Sequence, residues 1–536
     1  MAESTAAGGS AAAPRSTSRS FAAAVVATGI LLSRVLGLVR ESLKARYLGA
    51  TSGIAADAFN AAVRIPNFLQ NLFGEGVLSA SFIPVYANLL ARGDEEEAGK
   101  VAGAVFGLLA LATSVIVLLG VLFTPALLVV IAPGFSGERR ELTILITRIL
   151  FPGTGILVLG AWCLGVLNSH RRFFLSYAAP VISNLAMIVA LLLARNDPSL
   201  SHIAVELAWA YVIGAAIQVL VQLPIVLRLA RGLRVSLDRQ RETVRTVVRN
   251  FGPVFVSRGV VQISAYIDQV IASWLPLGVV SLLFYGQTIS LLPVSLFGMS
   301  IAAAELPEMS SAIGTAEETA DHLRARLNAG LKQIAFFVIP SAVAFLLLGD
   351  VIAAAVFQSG RFTRVDTLYI WGIIGGSAVG LLATIMGRLY SSAYYAQHDT
   401  RTPLRFAVIR IALTTVLGLL FAFPLPALLG IDRRWGAAGL TASAGIAGWV
   451  EFSLLRSRMN RRIGPTGLGA RYVGVLWLAG LLAGAAGLAV KLALGDAHRL
   501  TLAVAVLGTF GVLYLALSLW FGPPEVRAFV RRVVRR

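Results

Sequence analysis

Asn60, Arg64, Asn67 and Asn71 recur at i, i+4, i+7 and i+11 within "NAAVRIPNFLQNLF", the spacing that puts four side chains on one helix face. Asp57 extends the stripe one turn upstream, while Ile65, Phe68, Leu69 and Phe73 fall on the other side. Amides beside a guanidinium can bind an anion. Phosphate suits them best, because Arg grips its oxygens bidentately and keeps its charge when desolvated. An amphipathic helix lying in a headgroup plane would show the same stripe. Residues 55–90 must supply one membrane crossing if the count of spans below is right, so the stripe reads as the wall of a wet cavity. Pro66 would bend the helix that carries it.

The elements that hold this stripe are apolar almost throughout. The chain has 536 residues, 57% hydrophobic and 14% charged, with a mean hydropathy of +0.79. A soluble domain is nearer a quarter charged. Runs such as "VAGAVFGLLALATSVIVLLGVLF" reach the ~20 residues a helix needs to cross the hydrocarbon. The alternation of barrel strands is missing, so the spans are helices. The fold class is an all-α polytopic membrane protein with about fourteen transmembrane helices.

Arginines gather in short loops such as "SHRRF", "RSRMNRR" and the tail "RAFVRRVVRR". By the positive-inside rule both termini are cytoplasmic. The net charge of +19 therefore follows topology, and no basic domain for nucleic acid exists. The expected organisation is a disordered tail at 1–20, a first lobe at 21–230 (spans one to six) and a basic cytoplasmic linker at 231–249. A second lobe follows at 250–456 (spans seven to twelve), then a helix pair at 472–521 and a basic tail at 522–536. Two six-helix lobes around a central cavity suit a rocking transporter. Cys163 is the single cysteine, so no internal disulfide forms, and five scattered histidines suggest no metal site.

Charges inside spans are the informative ones, because a central Arg or Asp costs about 2.5–3.5 kcal/mol on insertion scales. They are Arg34, Arg40, Asp57, Arg64, Arg148, Arg258, Asp268, Glu305 and Arg388. Either they face a wet interior or they snorkel from span ends. Arg34, Arg40 and Arg258 sit deepest, and several arginines around one cavity make an anion site. No catalytic constellation accompanies them. Walker-type, GxSxG and HExxH patterns are missing, and His398 beside Asp399 in "HDTRTP" reads as a turn and helix start. The chain reads as a transporter without a cofactor, not an enzyme.

At these residues the chain resembles a known family. "SRVLGLVRESLKARYLGA", "ADAFNAAVRIPNFLQNLFGEGVLSASFIPVYA", "TRILFPGTGILVLGAWCLGVLNSHRRFFLSYAAPVISNLAMI", "FQSGRFT" and "YYAQHDTRTP" are similar, in order, to the MurJ (MviN) family. That family consists of flippases for the peptidoglycan precursor lipid II, within the multidrug/oligosaccharidyl-lipid/polysaccharide exporter superfamily. The resemblance covers roughly residues 21–430. It implies a cationic cavity for the diphosphate–sugar–peptide headgroup and a groove by the final helix pair for the lipid tail. Its two span-one arginines match Arg34 and Arg40, and its acidic residue at the start of span two matches Asp57. Its further cavity arginines fall on Gln70 and Thr288. Arg258 is the candidate that compensates for them. A sodium site in some members uses a span-seven aspartate, matched by Asp268. Span eleven, "RIALTTVLGLLFA", supplies threonines and no carboxylate or amide to complete it, which leaves Asp268 to pair with an arginine or carry a proton.

The function this implies is lipid II flipping across the bacterial cytoplasmic membrane by alternating access. Expected substrate-binding residues are Arg34, Arg40, Asp57, Arg64, Asn67, Gln70, Arg258 and Thr288, with Asp268 as the ion-coupling candidate. Coupling to the membrane potential would reset the empty cavity. Partners are the lipid-linked substrate and membrane lipids, and the chain is expected to act as a monomer. Three alternatives stay open: another undecaprenyl-diphosphate-linked glycan as cargo, a multidrug exporter, and a non-transporting membrane partner of wall synthesis.

Overall fold

The computed structural model describes residues 16–311, 314–495 and 497–521, and their side chains apart from those of 16–27, 30, 75 and 253–265. Among the described residues every regular element is helical. The first half runs α1 (Ser16–Leu48), α2 (Ile54–Ala62), α3 (Arg64–Phe73), α4 (Glu75–Ser81) and α5 (Ile83–Ala91). It continues with α6 (Glu95–Leu122), α7 (Thr124–Ile131), α8 (Gly137–Ser169), α9 (Phe173–Leu193) and α10 (Leu200–Leu229). The second half holds α11 (Glu242–Ser273), α12 (Val279–Pro293), α13 (Ser300–Ser310), α14 (Ala316–Phe357) and α15 (Arg364–Ala396). Then come α16 (Arg401–Ala422), α17 (Pro424–Leu428), α18 (Gly436–Ile463), α19 (Ala470–Leu494) and α20 (Arg499–Phe521).

Eleven helical stretches among the described residues are long and apolar enough to cross a membrane. The three further expected spans fall on α1, on α2 to α5, and on α11. At 33 and 32 residues, α1 and α11 each reach about 50 Å at 1.5 Å per residue. Helix α1 begins at Ser16, inside the stretch expected as a tail, and runs on to Leu48. Residues 1–15 and the tail at 522–536 lie outside the described residues.

Several breaks within spans come at prolines. Proline has no N–H to donate, and its ring clashes with the carbonyl four residues back. Helix α2 gives way to α3 at Val63, just before Pro66, so the expected bend is a break. Helices α4 and α5 part at Phe82 before Pro84, α6 and α7 at Phe123 before Pro125, and α16 and α17 at Phe423 before Pro424. Pro293 instead ends α12 in a six-residue π turn, Val294–Met299.

In the first lobe α8 packs on α2, α6 and α10, and α9 packs on α1 and α10. Its apolar interior is divided into two clusters, one around Leu48, Phe59 and Leu150, the other around Phe82, Trp162 and Val166. In the second lobe α15 lies between α14 and α18, and the α19–α20 pair packs on α14, so one cluster runs through both. Between the lobes, residues 231–241 do not hang free. They lie against α6, and from Glu242 the stretch expected as linker is already α11.

Candidate functional site: a polar seam between the lobes

The expected stripe of α2 and α3 divides at the Val63 break. Asp57 and Asn60 are buried, whereas Arg64, Asn67 and Gln70 are half-buried and Asn71 is exposed. Asp57 does not face a cavity. Its carboxylate accepts the Gly278 N–H at 2.9 Å, the Ser281 N–H at 2.8 Å and the Ser281 hydroxyl at 2.7 Å. Those donors belong to the first turn of α12, whose N–H groups have no partner within the helix. A carboxylate there also meets the positive end of the helix dipole. One lobe thus caps a helix of the other. Gly278 makes this possible with φ 94°, since a Cβ there would lie 2.6 Å from Thr51 Cγ2.

Charge balance at Asp57 comes from Arg139 of α8, whose Nη2 lies 3.1 Å from Oδ2. The Arg139 guanidinium is stacked 3.5 Å from the centre of the Phe135 ring. On its other side the network continues into α1. Asn60 donates to Ser281 Oγ at 3.1 Å and accepts from Lys44 at 2.7 Å. Lys44 is 2% exposed, ion-pairs with Glu41 at 2.5 Å, and sits 4.3 Å from the Phe284 ring centre. Glu41 in turn holds Arg40 at 2.7 Å, and Arg40 Nη1 donates to Asn184 at 2.9 Å.

Further down α12 the contacts across the lobes become cationic. Arg64 donates to Gln287 at 2.6 Å, while Tyr266 of α11 donates to the Arg64 carbonyl at 2.6 Å. Arg34, exposed, donates to Ser295 Oγ at 2.8 Å within the π turn. From Ser281 to Ser295 the seam follows α12 and the π turn for about 21 Å at 1.5 Å per residue. A buried, charge-paired clasp lies at the end where α1 finishes, and the exposed Arg34 and half-buried Arg64 occupy the rest.

The remaining expected residues are placed as follows. The Thr288 hydroxyl donates to the Phe284 carbonyl of its own helix at 2.9 Å. Neither Asn67 nor Gln70 has a side-chain hydrogen bond among the described residues. The Arg258 side chain lies outside the described residues. Asp268 has one buried oxygen with no hydrogen-bond partner. Arg148 donates to the Val121 carbonyl at 3.2 Å, and Glu305 pairs with Arg326 at 3.0 Å, so neither joins the seam. Asp399 accepts from the Thr402 N–H at 3.0 Å, in keeping with a turn and helix start, and ion-pairs with Arg462 at 2.6 Å. Burial alone would raise its pKa, but Thr402 and Arg462 bring it down to about 2.

Glu41, Lys44, Arg139 and Gln287 were missed as site residues. The first two stand at i and i+3 just past residue 40, where span one was expected to end. Asp197, His202 and Glu206 form a trio of metal-ligand composition. The imidazole there is held between two carboxylates on the surface. The hydrogen bond that the Asp197 carboxylate accepts from the His202 ring lowers the pKa of Asp197.

Comparison with known proteins decides the family. The model of the family "Lipid II flippase MurJ" matches residues 44–492. This chain belongs to the MurJ family. It is 30% identical over 541 residues to the probable lipid II flippase MurJ of Rhizobium meliloti (strain 1021), covering 96% of each chain. It is 30% identical over 449 residues to the lipid II flippase MurJ of Burkholderia cenocepacia, covering 82% of this chain and 84% of that one. Among solved structures, a lipid II flippase MurJ in an inward closed conformation superposes with a TM-score of 0.75 at 23% identity, over 92% of this chain and 98% of that one. An inward-facing multidrug resistance transporter of the MATE family gives a TM-score of 0.63 at 19% identity, over 82% and 98%. The fold is that of MurJ and MATE transporters, and the chain is a multi-pass membrane transporter rather than an enzyme.

Proposed function

We propose that this chain moves lipid II from the inner to the outer leaflet of the cytoplasmic membrane by alternating access. The observation that carries the reading is the family match over residues 44–492, and the seam supplies a mechanism. With both termini cytoplasmic, the Asp57 clasp lies at the outer end and the arginines open toward the inner leaflet. Arg34, Arg40 and Arg64 attract the diphosphate, whose oxygens suit their planar forks. Bound anion would replace the contacts Arg34 makes to Ser295 and Arg64 makes to Gln287, freeing the lobes to part at the clasp.

After release, the cavity is empty and cationic. Its return is favoured by the membrane potential, worth about 2.3 kcal/mol per charge per 100 mV. One chain contains both lobes, so a monomer suffices.

The test is leaflet-resolved lipid II in cells depleted of their own flippase and supplied with wild type or Arg34→Ala. Outward lipid II is expected with wild type and lost with the variant, at equal membrane levels. If wild type reaches the membrane and restores nothing, the cargo is another lipid-linked glycan. The neutral residues Gln70 and Thr288 would then be the reason.

A further inference from the structure

The segment that joins the lobes brings a cation to an apolar cavity away from the seam. Residues 231–241 run up one side of α6 and come back. The carbonyl oxygens of Arg231, Arg234 and Ser236 lie over Gly99, Gly103 and Gly107 in turn, and Arg241 then ion-pairs with Glu97 at 2.7 Å. Helix α6 has 28 residues, which at 1.5 Å each match a bilayer of about 40–45 Å with its headgroups. Gly107 stands about 18 Å along it from Glu95, past the headgroup layer. The tip of the segment therefore reaches hydrocarbon depth.

There it meets a cavity of about 300 Å³ between α6, α11 and the α3–α4 pair. Leu78, Leu109 and Phe251 are among its walls, and every lining residue but one is apolar. The exception is Arg239, which is exposed. Its guanidinium makes no hydrogen bond or ion pair among the described residues. The carboxylate next to it is engaged elsewhere, since Asp238 accepts from Arg241 Nε and from the Gln240 N–H, both at 2.9 Å. Ala112 and Val248 also line the cavity and are exposed, so it opens at the surface of the helix bundle.

Apolar walls at hydrocarbon depth suit an alkyl chain. Such a chain is as well solvated by lipid as by these walls, so the walls alone select nothing. The charge does. A phosphate carried at the head of the chain meets an arginine that no carboxylate neutralises, and the planar fork fits phosphate oxygens. We propose that this cavity seats one acyl chain of an anionic phospholipid, with the lipid phosphate against Arg239. Leu78 and Leu109 belong to the first lobe and Phe251 to the second, so the seated chain packs on both lobes at once. The cargo of the transporter does not enter this inference.

Photolabelling tests it. The purified full chain is placed in phosphatidylcholine vesicles with a trace of phosphatidylglycerol that carries a diazirine on one acyl chain. Labelling of the cavity residues on α4, α6 and α11 is compared with that from phosphatidylcholine carrying the same diazirine. The anionic lipid is expected to label them about fivefold more, the contribution of one cation near a charged headgroup. Arg239→Gln should abolish the difference and Arg239→Lys should keep it. Ala112→Trp, which fills the cavity from its exposed rim, should lower labelling by both lipids. Equal labelling of wild type by the two lipids overturns the proposal. So does a preference that survives Arg239→Gln, or labelling that Ala112→Trp leaves unchanged.

Competition separates two phosphate-bearing lipids. Excess unlabelled phosphatidylglycerol is expected to displace the anionic photolabel from the cavity. If undecaprenyl diphosphate displaces it and phosphatidylglycerol does not, the cavity is a seat for the polyprenyl substrate class, and the proposal fails.

Discussion

Asp57 joins the two lobes through one carboxylate, which accepts from Gly278 and Ser281 at the start of α12 and pairs with Arg139. Its position at the head of a polar stripe suggested cavity wall, yet it is fully buried and caps α12 of the opposite lobe. Its substitution should therefore act on the closed state. Removing one partner of a buried ion pair costs about 3–5 kcal/mol, because the other charge stays uncompensated. Asp57→Ala leaves the half-buried Arg139 unpaired beside Phe135 and the first turn of α12 uncapped. It is expected to lower the melting temperature and to raise thiol labelling of a cysteine placed at Ser281. Arg139→Met on the Asp57→Ala background removes the stranded charge and should recover part of the melting temperature. Labelling should stay high, because the cap is still missing. If the double variant melts no higher than Asp57→Ala, Arg139 is not the partner that matters.

At the scale of elements, the segment between the lobes is held by α6. A Cβ on Gly99, Gly103 or Gly107 would lie 2.0, 2.1 or 2.3 Å from the carbonyl oxygens of Arg231, Arg234 and Ser236. Arg231 pairs with Glu95 at 3.3 Å and Arg241 with Glu97 at 2.7 Å. Gly103→Val should therefore expel the strap, seen as faster hydrogen exchange across residues 231–241, while Gly508→Val, where a Cβ meets nothing within 4 Å, should not. Unchanged exchange in Gly103→Val would mean the glycines carry no part of the docking. Elements of this kind were legible to different degrees. The spans could be read from apolar length, and the breaks at Val63 and Phe123 coincide with prolines in the sequence. Pairings were not legible, because Arg34 meets Ser295 and Asp57 meets Ser281 across more than two hundred residues.

For the whole molecule, the two lobes must separate at the clasp if the headgroup is to leave on the outer side. The loops beside the clasp reinforce it. Thr51 donates to Asp366 at 2.6 Å, Ser52 donates to the Arg361 carbonyl at 3.0 Å, and the Arg361 N–H returns a bond to the Arg46 carbonyl at 2.9 Å. Each joins the end of α1 or the loop after it to the start of α15 or the loop before it. Rocking about the seam has to break all of them together, whereas a transporter that passed its cargo without parting the lobes could leave them intact. Ser52→Cys with Arg361→Cys distinguishes the two. Both positions are exposed, and the lone native Cys163 is buried, so a short bis-methanethiosulfonate, which forms a reducible disulfide with each thiol and releases sulfinate, should join only the introduced pair. The bridge is expected to stop lipid II reaching the outer leaflet, reduction is expected to restore it, and neither single cysteine should respond. Full activity in the bridged protein would show that the outer end never opens here, and alternating access through this seam would have to be abandoned.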